Sequence, residues 1–274
     1  MNTDIAIATI DDIPALCKLW QTCFDDSPEY ISLFYQENFE RITTYVCKAG
    51  GEIVSMLHVF DACFSSGKEQ QKALFLYAGA TPPEKRQNGY FTKLIKHVLQ
   101  YAKDSSCAVF LKPTADLVEY YKKLGFEPDS HFRLTSFSKG KAVPIAMNPL
   151  SAEQYNKLRN EAFSGTSYAK WDDSHLRWCV RENEFFEGKT FAVNFDGKNY
   201  FVMGAPEENA FLITETNLSP LQLETVSGAL CEMFGTQCVK AYLPENACDS
   251  GEVILSSIVY NALLRDNYVN LILI

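Results

Sequence analysis

Residues 73–91, ALFLYAGATPPEKRQNGYF, constrain this chain more than any other stretch. An apolar strand-forming run enters a turn at Pro82-Pro83, and a helix opens after Arg86-Gln87-Asn88-Gly89. The first turn of a helix carries backbone N–H groups with no internal partner, and the helix dipole adds partial positive charge there. Gly89 has no Cβ to keep a ligand off the backbone. A strand feeding a helix start that lacks side-chain caps is a place to hold a phosphate, and it suggests a nucleotide-containing cofactor. Phe91, Leu94, Ile95, Val98 and Leu99 fall on one face of the helix that follows, with Lys93, Lys96 and Lys103 left for water.

The flanking segments predict a mixed α/β chain. A strand is expected at residues 5–9, a helix capped by Asp11-Asp12 through Leu16, Leu19, Trp20 and Phe24, and a second helix after Pro28. The Gly50-Gly51 turn joins two hairpin strands. Beyond the central helix come a short apolar strand at 107–112, a helix carrying Leu117, Tyr120, Tyr121 and Leu124 stopped by Gly125, and a strand at 132–137. The Lys-, Gly- and Pro-rich stretch 138–149 is the expected boundary, giving domains 1–138 and 139–274.

The second half repeats the order. A hairpin turns at Asp196-Gly197, a strand covers 210–215, and Ser219-Pro220 starts a helix along Leu223, Val226 and Leu230. A strand at 239–243, a helix over 252–264 and a strand at 268–274 complete the expected copy. Here Ser219 can cap its own helix and Pro220 removes an N–H, so the second copy keeps the fold without the phosphate cradle.

Composition sets limits. The net charge of −9 argues against nucleic acid and anionic membranes and fits a cationic acceptor. Nine scattered cysteines without a C-x-x-C, and four isolated histidines, give no metal or disulfide pattern; they fit reduced thiols in a cytoplasmic protein. No signal peptide or spanning segment is expected. The terminal LILI run suggests strand pairing, within the chain or across a homodimer.

Two motifs carry a family resemblance. Pro83, Arg86 and Gly89 match the pyrophosphate motif Arg/Gln-x-x-Gly-x-Gly/Ala of the GCN5-related N-acetyltransferase (GNAT) superfamily, with Phe91 departing from its final small residue. The second motif reads Tyr120-Tyr121-Lys122-Lys123-Leu124-Gly125-Phe126. The tandem arrangement, with a degenerate second copy and Leu111-Lys112-Pro113 before the second motif, is similar to the enhanced-intracellular-survival class, without its sterol-carrier-like domain.

The resemblance implies a fold of two GNAT units and acetyl-CoA as co-substrate. It implies a diphosphate on the amides of Gln87, Asn88, Gly89, Tyr90, Phe91 and Thr92, with Arg86 nearby. The pantetheine arm would pair with the backbone of Gly79, Ala80 and Thr81, where the Thr81 N–H polarises the thioester carbonyl and Tyr121 protonates the leaving thiolate. The acceptor would be a primary amine of a small molecule or peptide attacking directly, so the enzyme is expected to be an acyltransferase moving groups other than aminoacyl groups.

An amine like lysine is neutral in only about one part in a thousand near pH 7, a cost of about 4–5 kcal/mol unless a base helps. Glu84, Asp116, Glu119 and His58 are open candidates for that base, although His58 and Tyr120 also read as packing residues. The alternative is a catalytically inactive acyl-CoA-binding or protein-interaction module, for which Phe91 and the degenerate second copy leave room.

Overall fold

The computed structural model describes residues 3–271. It begins with β1 (Thr3–Ile7), α1 (Ile13–Cys23), α2 (Pro28–Asn38), β2 (Thr43–Ala49) and β3 (Glu52–Ser66). Next come β4 (Glu69–Ala80), α3 (Tyr90–Asp104), β5 (Ala108–Leu111) and α4 (Val118–Lys122). The chain continues through β6 (Glu127–Ser138), β7 (Ala146–Pro149), α5 (Ala152–Phe163), β8 (Ser167–Lys170) and α6 (Asp173–Phe185). It then runs through β9 (Lys189–Phe195), β10 (Lys198–Glu207), β11 (Ala210–Thr216), α7 (Pro220–Phe234), β12 (Cys238–Pro244) and β13 (Glu252–Tyr260).

The chain forms two compact units that are not consecutive halves. The first holds Met1–Cys63, Gln71–Glu127 and Ile258–Leu263; the second holds Phe64–Gln70, Pro128–Ser257 and Leu264–Ile274. This division differs from the one expected at residue 138. Strand β6 pairs antiparallel with β12, from Ser138↔Cys238 to Phe132↔Pro244, and so belongs with the second unit. The first unit is completed by the end of β13, whose Ile258, Val259 and Tyr260 lie antiparallel to Leu111, Phe110 and Val109 of β5. Strand partners far apart in sequence leave no mark on local composition, which shows only where the connection is exposed.

In the first unit the strand order is β1-β2-β3-β4-β5 and then the end of β13. Helix α2 starts where Ser27 accepts the Tyr30 N–H at 3.2 Å, and Pro28 at its first position has no N–H to lose. Helices α1 and α2 bury Leu16, Leu19, Trp20, Tyr30, Ile31, Phe34 and Tyr35. Helix α3 buries Leu94, Ile95, Val98, Leu99 and Ala102 and packs on β2 and β5. Each large apolar side chain so buried contributes about 1.5–3 kcal/mol.

The second unit has the order β6-β12-β11-β10-β9-β7, with only β11 and β12 parallel among the registers between these neighbours. A core of Phe137, Val193, Val202, Ile213, Leu223, Val226, Leu230 and Val239 lies between α7 and this sheet. Both units therefore run hairpin, strand, helix, parallel strand: β2-β3, β4, α3, β5 in one, and β9-β10, β11, α7, β12 in the other.

Two expectations are corrected. Residues 252–264 are not helical: Glu252–Tyr260 is strand β13. Its β-branched Val253, Ile254, Ile258 and Val259 suit a strand, and the pairing with β5 decides what a short apolar run leaves ambiguous. Helix α6 was not anticipated because charged Arg177, Arg181, Glu182 and Glu184 mask its apolar stripe; Asp172 caps it by accepting the His175 N–H at 2.7 Å. Of the expected terminal strand, Tyr268 makes an isolated parallel bridge to Tyr168, and residues 272–274 lie outside the described residues.

Candidate active site

The site is built at the C-terminal end of β4 in the first unit. Parallel pairing between β4 and β5 covers only Ala73↔Ala108, Leu74↔Val109 and Phe75↔Phe110. Beyond Phe75, β4 runs on to Ala80 without β5 at its side, so backbone groups along that edge are left for another partner. Ala78 has φ +44°, a left-handed conformation that bends the strand just before Gly79.

The loop from β4 to α3 is pinned by its own side chains. Arg86 Nε donates to the Thr81 carbonyl at 3.1 Å, and Asn88 Nδ2 donates to the carbonyls of Lys85 and Arg86 at 3.0 and 3.1 Å. Gln87 at φ +65° and Gly89 at φ +74° flank Asn88 in left-handed backbone, a geometry that turns successive amides the same way. Gly89 is the N-cap of α3 and supplies no side-chain acceptor, and the first backbone bond at this end is Lys93 N–H to Gly89 O at 3.0 Å. The amides of Gly89, Tyr90, Phe91 and Thr92 therefore have no partner among the described residues. The loop from Glu84 to Gly89, apart from Lys85, is exposed.

Gly79 has a role the sequence did not show. A Cβ built there would meet Phe91 Cζ at 2.5 Å and Leu57 Cδ1 at 3.2 Å. The missing side chain at Gly79 thus accommodates the Phe91 ring, which replaces the small residue expected at position 91. The Cβ direction stands perpendicular to the sheet, whereas strand hydrogen bonds lie within it. The ring covers the face of β4 at Gly79 and stacks toward Tyr120 of α4.

Thr81 turns its hydroxyl inward: Oγ1 donates to Ser55 Oγ at 2.9 Å, and Ser55 Oγ donates to the Ala80 carbonyl at 2.9 Å. With the hydroxyl proton engaged, the backbone N–H is the donor Thr81 can offer a ligand at the strand end. Tyr121 is buried, edge-on to Tyr120 and Phe126 at ring distances of 5.2 and 5.6 Å. Its hydroxyl has no hydrogen-bond partner among the described residues, and burial pushes its pKa well above that of an ordinary phenol, so it stays protonated. Tyr120 stacks on Phe91 at 6.3 Å, and its hydroxyl lies 3.0 Å from Thr92 Oγ1, a packing role that ties α4 to α3.

The four base candidates are not brought together. His58 is fully buried, with Nδ1 2.9 Å from Thr44 Oγ1 and Nε2 3.3 Å from the Tyr35 hydroxyl; burial lowers its pKa to about 3. It is a structural residue. Glu84, Asp116 and Glu119 are exposed, and Glu119 is paired with Lys122 at 2.7 Å. Sequence reasoning missed an aromatic cluster beside β4, in which Tyr30 and Tyr77 bring their hydroxyls to 3.2 Å and Trp20 Nε1 donates to Asp26 at 2.7 Å. These residues come from α1, the α1–α2 loop, α2 and β4, so no local spacing links them.

Among the described residues no group of His, Cys, Asp and Glu could hold a metal ion, and no helix is long and apolar enough to cross a membrane.

Residues 4–128 match the family model of the acetyltransferase (GNAT) domain. Three solved structures share the fold over 94% of this chain. A conserved protein of unknown function from Enterococcus faecalis, described as a probable N-acyltransferase, aligns with TM-score 0.77 at 13% identity over 72% of its own chain. A GCN5-related N-acetyltransferase from Anabaena variabilis gives 0.75 at 13% identity over 72%. Eis1 from Mycobacterium abscessus gives 0.70 at 11% identity over 73%. At these identities the likeness is one of fold. A search of curated proteins gives no match.

Proposed function

We propose that this chain, whose residues 4–128 match the model of the GNAT acetyltransferase domain, is an acetyl-CoA-dependent N-acetyltransferase acting on a primary amine of a small molecule or peptide. One observation carries the reading: β4 leaves β5 after Phe75 and delivers its free edge to an α3 start whose amides are bare. Such amides suit a diphosphate, and a free strand edge suits an extended arm with amide groups. The residues present therefore fit the cofactor.

Bound acetyl-CoA supplies the activated acyl group. The amides of Gln87, Asn88, Gly89, Tyr90, Phe91 and Thr92 hold its diphosphate, with the remaining guanidinium N–H groups of Arg86 adding charge. The backbone of Gly79, Ala80 and Thr81 aligns the arm, and the Thr81 N–H polarises the carbonyl under attack. Tyr121, protonated at all working pH values, gives its proton to the departing thiolate. Arg86 also fixes this geometry, because its bond to the Thr81 carbonyl links the diphosphate loop to the strand end.

The test is to follow free thiol while purified protein meets acetyl-CoA and a panel of primary amines. Thiol release that requires both substrates is expected. CoA binding without turnover on any amine would favour the non-catalytic acyl-CoA-binding module, and absence of CoA binding would refute the enzyme and leave only a protein-interaction module.

A further inference from the structure

We infer that the second unit's counterpart of the cofactor slot is filled by the chain itself, with residues 267–271 acting as a built-in strap. The inference rests on the reading that the β4–β5 opening takes acyl-CoA. Strands β11 and β12 repeat that opening: their parallel pairing stops at Ile213↔Ala241, while β11 continues to Thr216 and β12 to Pro244.

Contacts of the strap reach β11 on one flank and, on the other, the strand β6 that pairs with β12. On the β11 side, Asn270 Nδ2 donates to the carbonyl of Thr214, the first residue past the last pair, at 2.7 Å. On the other side the Tyr268 ring lies 5.6 Å from Phe132, whose strand partner is Pro244 at the end of β12. Ser256 Oγ donates to the Val269 carbonyl at 2.8 Å.

Along its length the strap is held by β8 and the residue after it. Tyr268 N–H donates to Ser167 O at 2.8 Å, Ala169 N–H donates to Tyr268 O at 3.0 Å, and Trp171 Nε1 donates to Asn270 O at 2.9 Å. Asn267, Tyr268, Val269, Asn270 and Leu271 are all buried.

The helix start is closed as well. Ser219 accepts the Gln222 N–H, Gln222 Oε1 accepts the Ser219 N–H at 2.9 Å, and Pro220 has none to offer. A groove of about 770 Å³ remains beside the strap, and several of its polar side chains are engaged by the protein itself. Asp129 accepts from Asp266 and Asn267, Ser167 Oγ donates to Asn267 Oδ1, and His131 faces Glu245 at 3.5 Å. The second unit thus keeps the splayed strands as a socket for its own chain.

The test combines CoA titration of the whole chain with amide hydrogen exchange. Expected are one CoA per chain, slowed exchange at residues 79–81 and 87–92, and unchanged slow exchange at residues 214–216. A second bound CoA, or CoA-dependent slowing at 214–216, would overturn the strap. Should no CoA bind, the proposed function fails, and the strap is judged on the ligand-free chain. There, Tyr268 and Ala169 amides exchanging as fast as exposed loop amides would overturn it. In Asn270→Gly, residues 267–271 are expected to exchange about tenfold faster while CoA affinity stays within about twofold; unchanged exchange would count against the strap.

Discussion

The ring of Phe91 lies over the bare Cα of Gly79, so that a Cβ at position 79 would stand 2.5 Å from Phe91 Cζ. The two departures compensate: a bulky residue on α3 is accommodated by a missing side chain on β4. Gly79→Ala is expected to cost about 1–3 kcal/mol by overpacking. Phe91→Ala should relieve most of that cost, so the double variant should be more stable than the sum of the single effects predicts. Thermal unfolding of the four proteins measures the coupling.

Tyr121→Phe removes only the free hydroxyl. Catalysis is expected to fall by about 10²-fold or more while CoA affinity holds, measured by steady-state kinetics beside calorimetry. Because burial raises the pKa of this phenol, the wild-type rate should show no loss from Tyr121 ionisation up to about pH 10. A Tyr121→Phe protein with wild-type kcat would assign the residue to packing alone.

His58 makes the first unit acid-sensitive. Its pKa is about 3 in the fold, below the value near 6.5 of an exposed imidazole, so between these values the unfolded chain binds the extra proton. Stability from this group is complete above pH 6.5 and is lost as pH falls. The loss is about 2 kcal/mol at pH 5. Denaturant unfolding at pH 7 and pH 5 should show that slope in the wild type, and His58→Gln should flatten it.

Arg159 and Glu215 form an ion pair with both side chains fully buried in the second unit, Nε lying 3.1 Å from the carboxylate. The Tyr155 hydroxyl adds a bond to Glu215 at 2.8 Å. Glu215→Ala leaves the guanidinium without its counter-charge and should cost about 3–5 kcal/mol, measured by denaturant unfolding. Arg177, exposed and paired with Glu153, should tolerate Arg177→Ala at a cost of about 1 kcal/mol or less.

The parts of the site made by consecutive residues were legible in the sequence. Gly89 opening α3, the Ser219-Pro220 cap on α7 and the burial of Leu94, Ile95, Val98 and Leu99 follow from local backbone and periodicity rules. What was hidden depends on distant partners. Nothing near residue 252 shows that Ile258, Val259 and Tyr260 will lie against β5, and nothing near Gly79 shows that a ring twelve residues on will cover it. The Arg86 bond to the Thr81 carbonyl was hidden for a similar reason, since the intervening Pro82-Pro83 turn sets it and no residue preference does.

The central claim is that bare amides at residues 87–92 hold a diphosphate beside a free strand edge. Calorimetric titration of the chain with CoA and with pantetheine, which lacks the nucleotide and diphosphate, tests it most directly. CoA is expected to bind at least about 100-fold more tightly, a difference of about 2.7 kcal/mol, and Gly89→Val should abolish most of that difference. Equal affinity for the two ligands, or a Gly89→Val protein that still discriminates as the wild type does, would contradict the account.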